Sequence, residues 1–525
     1  MKAKEILFYT GAALMALPLF ADRVDVVWIN NVPSSWFDDA NWSTGYAPGG
    51  ENDPTPNASY AYLSGAHVDV SIDGAEGSLE PVSILGMYDQ AKLAVKDATL
   101  EINGDENIMN IWRGAVLSLD NSTLKTVNPV DMQDPDKQGT ALIAKNNSKL
   151  EIRSAVFDVN GGTLHLQSGS TLDAQKNGDL YFSSANTDGG KVIFEGEGSG
   201  IVNWGEGTNR AVWINGGAIE VLFKDTSFDG LVASATTVKS GGFTFDNTVV
   251  DTKTANGAFF YGDATINGGE TFALTFKNGS RLIGNGKGIN SGLSGDGGTW
   301  QFNLLEGSTS ENISLNIASA VSFKAPNAKM QVNVSGASQL VGSAFNGGQS
   351  IAGENSAFEI NLSGEGSRIN FQDMNVANAQ INLRDVDNDS FHINSAIHLT
   401  SGTKVKVALA DRNADVNEAI IFSFHVGEET NPEFIIDFSE LTLSEGYYKF
   451  VIFGYQGDYH PGTKDFAFNY IYGENSGFAD AELQITDHEW IVWAYTTGYV
   501  PEPAACAALF GLGALALAAL RRRRQ

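Results

Sequence analysis

The sequence predicts an all-β protein whose body is a parallel β-solenoid, and two patterns predict it. Gly-Gly pairs preceded by Asn, Asp or Ser recur along the chain; they begin at Gly161, Gly189, Gly216, Gly241, Gly268, Gly297 and Gly347. The last interval is about twice as long as the others, and we interpret it as two repeats with one pair missing. Apolar residues alternate after the pairs, as in Phe272, Leu274 and Phe276, which is typical of a strand with one buried face. Short strands that repeat with a period of about 27 residues indicate coils stacked on one another.

Residues 1–21 have the pattern of a secretory signal peptide. Lys2 and Lys4 precede an apolar run that ends at Phe20, and Ala21 provides a small residue for cleavage before Asp22. The apolar run is short for a membrane span. We therefore expect export with cleavage between Ala21 and Asp22, the alternative being a buried N-terminal helix.

Residues 22–80 are predicted to form an N-terminal cap and the first strands. A solenoid needs its open end covered, and the tryptophans Trp28, Trp36 and Trp42 are candidates for that role. This aromatic opening, with Asn41-Trp42-Ser43-Thr44-Gly45 ahead of a predicted strand, resembles the start of many autotransporter-passenger-like β-helical proteins. The resemblance is confined to this N-terminal stretch and implies a β-helical body.

Residues 81–410 are predicted to form the solenoid repeats, which amount to about twelve coils at the period of about 27 residues. Turns such as Asn278-Gly279-Ser280 and Glu306-Gly307-Ser308 supply residues that tolerate positive φ at a corner. At roughly 4.8 Å per coil the rod would be about 60 Å long. A tandem of antiparallel sandwiches is the alternative, but it gives no reason for a single period.

Residues 411–499 contain no glycine pair and are rich in aromatic residues. These are Tyr447, Tyr448, Phe450, Phe453, Tyr455, Phe466, Phe468, Tyr470, Tyr472, Trp490, Trp493 and Tyr495. Their alternation predicts strands of a C-terminal β cap or small β-domain. Aromatic residues in this pattern favour a core, and a platform that stacks on sugar rings is the alternative.

Residues 500–525 form a tail with three parts. Pro501, Glu502 and Pro503 precede an uncharged run, 504–520, which is followed by Arg521, Arg522, Arg523 and Arg524. As a helix, this run would rise about 25 Å, barely enough to cross a bilayer core. The arginines are predicted to remain on the cytoplasmic side and stop transfer, so the tail is a predicted transmembrane helix. A plain C-terminal anchor is the alternative to a sorting function.

This tail resembles the PEP-CTERM sorting signal, in which Pro501-Glu502-Pro503 is the motif. The resemblance is confined to residues 500–525. It implies that the partners are the secretion translocon and an exosortase-type membrane processing enzyme. It also implies an envelope that makes exopolysaccharide, which is a further candidate partner.

Composition excludes several classes of function. The formal net charge of −29 disfavours binding to nucleic acid or to anionic lipid, which relies on Lys and Arg. Cys506 is the only cysteine and lies in the tail, so the body has no disulfide and no thiolate metal site. The sequence contains no GxSxG, HExxH or phosphate-loop motif. These absences predict a protein that is not an enzyme.

One local cluster has the ligand types of a calcium site. Asp385, Asp387 and Asp389 alternate, so that on a strand they would share one face. Carboxylates on one face can bind a hard cation such as Ca²⁺, although the run is not an EF-hand loop because Ser390 stands where glycine is needed. A solvated acidic turn is the alternative, and no other cofactor is expected.

These observations predict an exported structural protein of the cell surface or extracellular matrix. Its solenoid rod would be anchored transiently by the C-terminal helix and associated with envelope exopolysaccharide. An adhesin or glycan-binding protein is the first alternative. A β-helical polysaccharide lyase or hydrolase, with a groove of clustered carboxylates, is the second.

Overall fold

The structure is a computed structural model whose regular secondary structure is almost entirely β-strand. It describes residues 24–498 except 56–58, 105–108, 128, 153–155, 177–178, 185–188, 205–210, 230–231, 237–239, 254–258, 267, 295–296, 318–325, 350, 352–353, 401, 428–431, 457–466 and 475. These described residues contain 45 strands and two 3-10 helices, Asp39–Asn41 and Asp411–Asn413.

The strands are short and follow one another at nearly regular intervals. The first twenty-three are β1 (Val24–Val27), β2 (Ser34–Ser35), β3 (Ser59–Ser64), β4 (Asp69–Asp73), β5 (Ile84–Tyr88), β6 (Lys92–Lys96), β7 (Thr99–Ile102), β8 (Met109–Trp112), β9 (Val116–Asp120), β10 (Thr123–Thr126), β11 (Val130–Gln133), β12 (Ala141–Lys145), β13 (Lys149–Ile152), β14 (Val156–Asp158), β15 (Thr163–Gln167), β16 (Thr171–Asp173), β17 (Asp179–Ser183), β18 (Gly190–Glu195), β19 (Gly200–Val202), β20 (Ala211–Asn215), β21 (Ala218–Lys224), β22 (Ser227–Asp229) and β23 (Val232–Thr236). The others are β24 (Ser240–Asp246), β25 (Val249–Asp251), β26 (Phe260–Thr265), β27 (Thr271–Lys277), β28 (Arg281–Ile283), β29 (Gly288–Ser294), β30 (Thr299–Leu304), β31 (Thr309–Glu311), β32 (Ile313–Ile317), β33 (Lys329–Ser335), β34 (Gln339–Gly347), β35 (Ala357–Ser363), β36 (Arg368–Val376), β37 (Ala379–Arg384), β38 (Phe391–Leu399), β39 (Lys404–Ala408), β40 (Ile421–Val426), β41 (Glu433–Asp437), β42 (Gly446–Tyr455), β43 (Ala467–Ile471), β44 (Phe478–Ile485) and β45 (Glu489–Thr496).

Each strand of the rod pairs in parallel with the equivalent strand of the next coil, where a coil is one turn of the solenoid. One wall, the first sheet, runs from β2 through β4, β6 and β9 to β43. A second sheet contains β7, β10, β13, β16 and β19, and a third contains 23 strands in two rows that join at β34. The described strands β42, β44 and β45 add antiparallel pairing at the C-terminal end.

The length of the coils confirms the predicted solenoid. Asp69 on β4 and Glu433 on β41 are joined by fourteen successive parallel pairings. The mean coil is therefore about 26 residues long, within the usual range of solenoid repeats. Twelve of these steps lie between Lys92 and Lys404, which matches the number of coils expected for residues 81–410. Parallel pairing also extends beyond that range, from β1 and β3 to β41 and β43.

The glycine pairs mark corners where the chain enters the first sheet. Gly189 has φ of 72°, and a side chain on Gly190 would place its Cβ 2.5 Å from the carbonyl oxygen of Val159. The corner before β33 has Asn327 instead of a pair, with φ of 53°, because asparagine also tolerates this conformation. Asn327 therefore stands at the position where the repeat predicts a Gly-Gly pair that the sequence lacks. The last pair is not in register, however, because Gly347 ends β34 and the equivalent corner residue is Asn355.

Alternating apolar residues fill the interior. On β27 the side chains of Phe272, Leu274 and Phe276 are buried, while the intervening residues are partly exposed. The four buried rings of Phe194, Phe223, Phe245 and Phe276 stack from coil to coil, with centroids 5.1, 5.1 and 4.5 Å apart. Stacked aromatic rings add to the free energy gained by removing each ring from water.

Buried hydroxyl groups hold one corner of successive coils together. The backbone N–H of Thr248 donates to Ser280 Oγ at 3.0 Å, the N–H of Ser280 donates to Ser308 Oγ at 3.1 Å, and that of Ser308 donates to Ser338 Oγ at 3.1 Å. Earlier coils repeat the contact at Ser122, Ser148 and Ser170. At this corner the backbone N–H groups do not bond a carbonyl oxygen of the neighbouring strand, and the serine hydroxyl groups accept their hydrogen bonds instead. We call this row the hydroxyl spine.

The outer surface carries a second row of polar contacts, the asparagine row. Asn333 donates its side-chain amide to Asn303 at 2.7 Å, Asn361 donates to Asn333 at 2.8 Å, and Asn382 donates to Asn361 at 2.8 Å. Parallel, in-register stacking brings the same residue type together on neighbouring coils.

The N-terminal coil is closed by the predicted tryptophans. Trp42 packs edge-on against both Trp28 and Trp36, with ring centroids 5.0 and 4.7 Å apart. The indole N–H groups of Trp36 and Trp42 donate to the carbonyl oxygens of Pro48 and Trp36. Because both N–H groups are bonded, burying these two indoles leaves no donor unsatisfied.

The C-terminal end is a three-stranded antiparallel sheet. Its strands lie in the order β42, β45, β44, and β42 also pairs in parallel with β40 through Phe453–Tyr455. The buried face includes Phe450, Phe453 and Trp490, whereas Tyr447 is 76% exposed. Most of the described aromatic residues of this region therefore fill a core, and a few remain on the surface.

Candidate functional site

The two processing segments lie outside the residues that the structure describes. These are the predicted signal cleavage site at Ala21 and Asp22, and the tail with Pro501, Glu502, Pro503 and the cluster Arg521, Arg522, Arg523 and Arg524. The described chain ends shortly after β45, whose last residue Thr496 donates its hydroxyl to the carbonyl oxygen of Ser476 at 2.9 Å. Within the described ranges, no helix is long and apolar enough to cross a bilayer.

The predicted calcium ligands lie on a turn rather than on a strand. Residues 385–390 connect β37 to β38, and both Asp385 and Asp389 have positive φ. Their side chains therefore do not share the single strand face that alternation predicted. The expectation of a shared face was wrong because the positive φ of Asp385 and Asp389 turns the chain at this corner.

An arginine from the next coil lies between two of the three carboxylates. Arg412 donates from Nη1 to Asp385 Oδ1 and from Nε to Asp387 Oδ1, both at 2.7 Å. Asp387 Oδ2 also accepts the backbone N–H of Gly366 at 2.7 Å. Asp389 instead contacts the imidazole of His392. The described residues contain no group of three metal-ligating side chains, and calcium binding stays a prediction.

A groove lies where the last coils meet the C-terminal sheet. Its cavity has a volume of about 510 Å³, within the range of saccharide- and cofactor-sized sites. The residues that matter for its chemistry are Asp389, His392, Glu418, Phe422, Gly454 and Glu489. We call this the cap groove.

The register of four strands builds the cap groove. His392 on β38 pairs with Phe422 on β40, Phe422 pairs with Gly454 on β42, and Gly454 pairs with Glu489 on β45. Because side chains directly opposite one another share a face of the sheet, these residues form one row across it. Gly454 has no side chain, so the row has a gap at its third position.

Aromatic rings line one wall and hydrogen bonds fix the other. The rings of His392 and Phe422 have centroids 4.7 Å apart and lie at 37° to each other. On the opposite side, the Tyr455 hydroxyl donates to the carbonyl oxygen of Thr486 at 2.7 Å. Burial raises the pKa of Tyr455, so this hydroxyl remains a protonated donor at neutral pH.

A buried and a half-buried carboxylate also lie nearer the N-terminal end of the rod. Asp131 and Asp158 pair with each other across β11 and β14. Burial raises the pKa of Asp131, and burial together with the charge of Asp131 raises the pKa of Asp158. Asp131 accepts hydrogen bonds from the side chains of Trp112, Gln133 and Asn160, so its oxygens are satisfied within the protein.

Sequence reasoning missed the cap groove. His392, Phe422, Gly454 and Glu489 lie on four strands far apart in the sequence, and only the register brings them into one row. One signal was available, since glycine inside an aromatic strand marks a bulge or a site that another group approaches closely. Gly454 between Phe453 and Tyr455 is such a glycine.

Comparison with known families bears on the tail. The family described as the PEP-CTERM protein-sorting motif matches residues 500–524. The chain carries a PEP-CTERM sorting motif. This motif implies an exosortase-type processing system as partner and export toward the cell envelope. No curated protein and no solved structure matches the chain.

Proposed function

We propose that the chain is a non-enzymatic structural protein of the cell surface or extracellular matrix, associated with envelope exopolysaccharide. The PEP-CTERM motif at residues 500–524 carries the proposal, because it implies exosortase-dependent export of a β-helical protein. In this proposal the signal at residues 1–21 engages the translocon. The C-terminal segment then holds the chain in the membrane until it is processed.

The physical properties of the body support a structural role. The coils stack from β1 to β43, the hydroxyl spine links neighbouring coils at residues 122–170 and 248–338, and the asparagine row links those at residues 303–382. A solenoid of this kind derives its stability from contacts between neighbouring coils and presents a long surface. Such a rod is suited to spacing or scaffolding in an envelope.

A glycan-binding adhesin is the second candidate, and the cap groove favours it. The groove combines aromatic rings, which can pack against the apolar face of a sugar, with carboxylates, which can accept hydrogen bonds from its hydroxyl groups. A β-helical lyase or hydrolase is the third. Mutation of its catalytic carboxylates would abolish turnover, whereas a binding protein would retain a glycan without changing it.

The function is tested by fractionating producing cells and measuring the intact mass of the mature protein. We expect the mature form to lack residues 1–21 and the segment after Pro501-Glu502-Pro503, and to lie outside the inner membrane. Carrying each of Arg521–Arg524 through the bilayer centre would cost roughly 3 kcal/mol, so replacing all four by serine should let uncleaved chains escape.

A second variant separates sorting from anchoring. Replacement of Pro501 and Pro503 by alanine leaves the apolar segment intact but alters the extended peptide that a protease would recognise. Full-length protein should then accumulate in the membrane. A mature parent protein that retains Arg521–Arg524 would show that the tail is only an anchor and would contradict the sorting proposal.

A further inference from the structure

We propose that the cap groove binds a pyranose segment of a neutral or amino-sugar polysaccharide. This inference deepens the proposed function by giving the exopolysaccharide a site and a chemical class, and it rests on that function. It is argued from the shape, the aromatic wall and the charge of the groove.

The shape of the groove depends on Gly454. In the row from His392 to Glu489 it is the position without a side chain. A Cβ added there would lie 3.0 Å from the Cβ of Ala419 and 3.5 Å from Cδ2 of Phe422. A larger side chain would therefore fill the floor of the groove. The opening is a property of this one residue and can be closed by substitution.

The aromatic wall suits the flat face of a sugar ring. Phe422 is partly exposed because it lies on the outer face of β40, between the buried, inward-facing residues Ile421 and Ser423. His392 extends its ring surface, with a centroid separation of 4.7 Å. The C–H groups on one face of a pyranose are apolar and pack against such rings, while the hydroxyl groups at its edge need hydrogen-bond partners.

The groove supplies those partners as carboxylates. Asp389, Glu418 and Glu489 line it, and ionised carboxylates are pure acceptors for hydroxyl or ammonium donors. Both oxygens of Asp389 also face protein groups, Oδ1 the imidazole of His392 and Oδ2 the guanidinium of Arg368 at 3.9 Å, and this offsets only part of the charge of the groove. The protein as a whole has a formal net charge of −29. This field repels uronic-acid polymers and admits neutral or amino-sugar chains.

The test uses the full-length chain purified in detergent and three hexasaccharides of equal length. One is built of glucose, one of glucosamine and one of galacturonate, and calorimetry measures the affinity for each. We expect the glucose or the glucosamine hexasaccharide to bind and galacturonate to bind at least tenfold more weakly. Phe422→Ala and Gly454→Val should each weaken binding by about tenfold, which is about 1.4 kcal/mol.

A matched control lies on the same strand. Phe424 is 49% exposed and lies outside the groove, so Phe424→Ala makes the same chemical change without altering the wall. Its affinity should equal that of the parent. Trp493→Ala on the C-terminal sheet, where Trp493 is 41% exposed, tests the other exposed aromatic surface and should also leave binding unchanged.

The proposal remains testable if a groove variant does not fold. Hydrogen exchange of the parent protein should then show protection by the bound hexasaccharide at β40 and at the end of β42, and none at Tyr447. Four results would each overturn the proposal. They are failure to bind both the glucose and the glucosamine hexasaccharide, preference for galacturonate, loss of affinity in Phe424→Ala or Trp493→Ala alone, and cleavage of the hexasaccharide. Cleavage would also contradict the non-enzymatic role proposed above. The other results do not depend on where the protein is exported, so they are distinguishable from failure of the proposed function.

Discussion

The hydroxyl spine makes the sharpest prediction for stability, at Ser280. This side chain is fully buried and its oxygen accepts the backbone N–H of Thr248 at 3.0 Å. Its own hydroxyl donates to the carbonyl oxygen of Lys277 at 2.7 Å. Ser280→Ala removes the acceptor and leaves the N–H of Thr248 buried without a partner. An unsatisfied buried donor costs about 1–3 kcal/mol, and we expect the free energy of unfolding to fall by that amount.

Two further variants isolate the hydrogen bond from other effects. Ser280→Thr should retain most of the stability, because Thr248 already occupies the equivalent position one coil earlier and donates to the carbonyl oxygen of Phe223. Ser64→Ala makes the same change at an exposed serine, whose hydroxyl bonds Asp89. Surface substitutions of this kind change stability by about 0.5 kcal/mol or less.

Urea unfolding followed by tryptophan fluorescence compares the four proteins under one set of conditions. The expected order of stability is parent and Ser64→Ala together, then Ser280→Thr, then Ser280→Ala. If Ser280→Ala unfolds within about 0.5 kcal/mol of Ser64→Ala, the buried N–H finds another partner and the reasoning about the spine is wrong.

The remaining predictions concern charge. Arg412→Ala removes the guanidinium that pairs with both Asp385 and Asp387, so calorimetry should show a higher affinity for Ca²⁺. Unchanged titrations would show that these carboxylates form a solvated acidic turn and not a calcium site. Asp158 has a raised pKa through burial and a neighbouring carboxylate, so its ionisation disfavours the folded state. Asp158→Asn should therefore stabilise the protein at pH 7 and not at pH 3, below the unfolded pKa of about 3.9. The pKa of Asp120 is lowered by a hydrogen bond from the side-chain amide of Asn146 and by nearby lysines, although desolvation opposes this shift. Asp120→Asn should therefore have the opposite effect: it should reduce stability at pH 7 and leave stability unchanged at low pH. Urea midpoints across that range measure both.

The fold could be predicted because its two constraints are local. A strand with one buried face alternates in polarity, as at Phe272, Leu274 and Phe276, and a tight corner needs glycine or asparagine. Both constraints can be recognised in the sequence from residues only a few positions apart. The same reasoning failed at the pair that begins at Gly347, because the two glycines there make room for other groups: the ring of Phe358 lies against Gly347 and the carbonyl oxygen of Ala377 lies against Gly348.

The candidate site could not be predicted because its contacts join different coils. Coils differ in length: the one that joins Phe358 to its partner Ala379 is shorter than the one that joins Gly242 to its partner Ala273. A residue's neighbour on the next coil is therefore unknown until the register is known. This is why the contact of Arg412 with Asp385 on the preceding coil was not predicted.

The asparagine row explains why the cap groove, rather than the rod, is the better candidate for binding. Along the rod, the amide of Asn333 bonds Asn303 and accepts from Asn361, so these groups are used between coils and offer less to a ligand. There the same residue type recurs at the same register position on neighbouring coils. At the C-terminal end β45 pairs antiparallel to β42 and contributes Glu489, which belongs to no repeated row. A recess lined by carboxylates forms where the repeat ends, and the ligand specificity of this protein is expected to lie at that boundary.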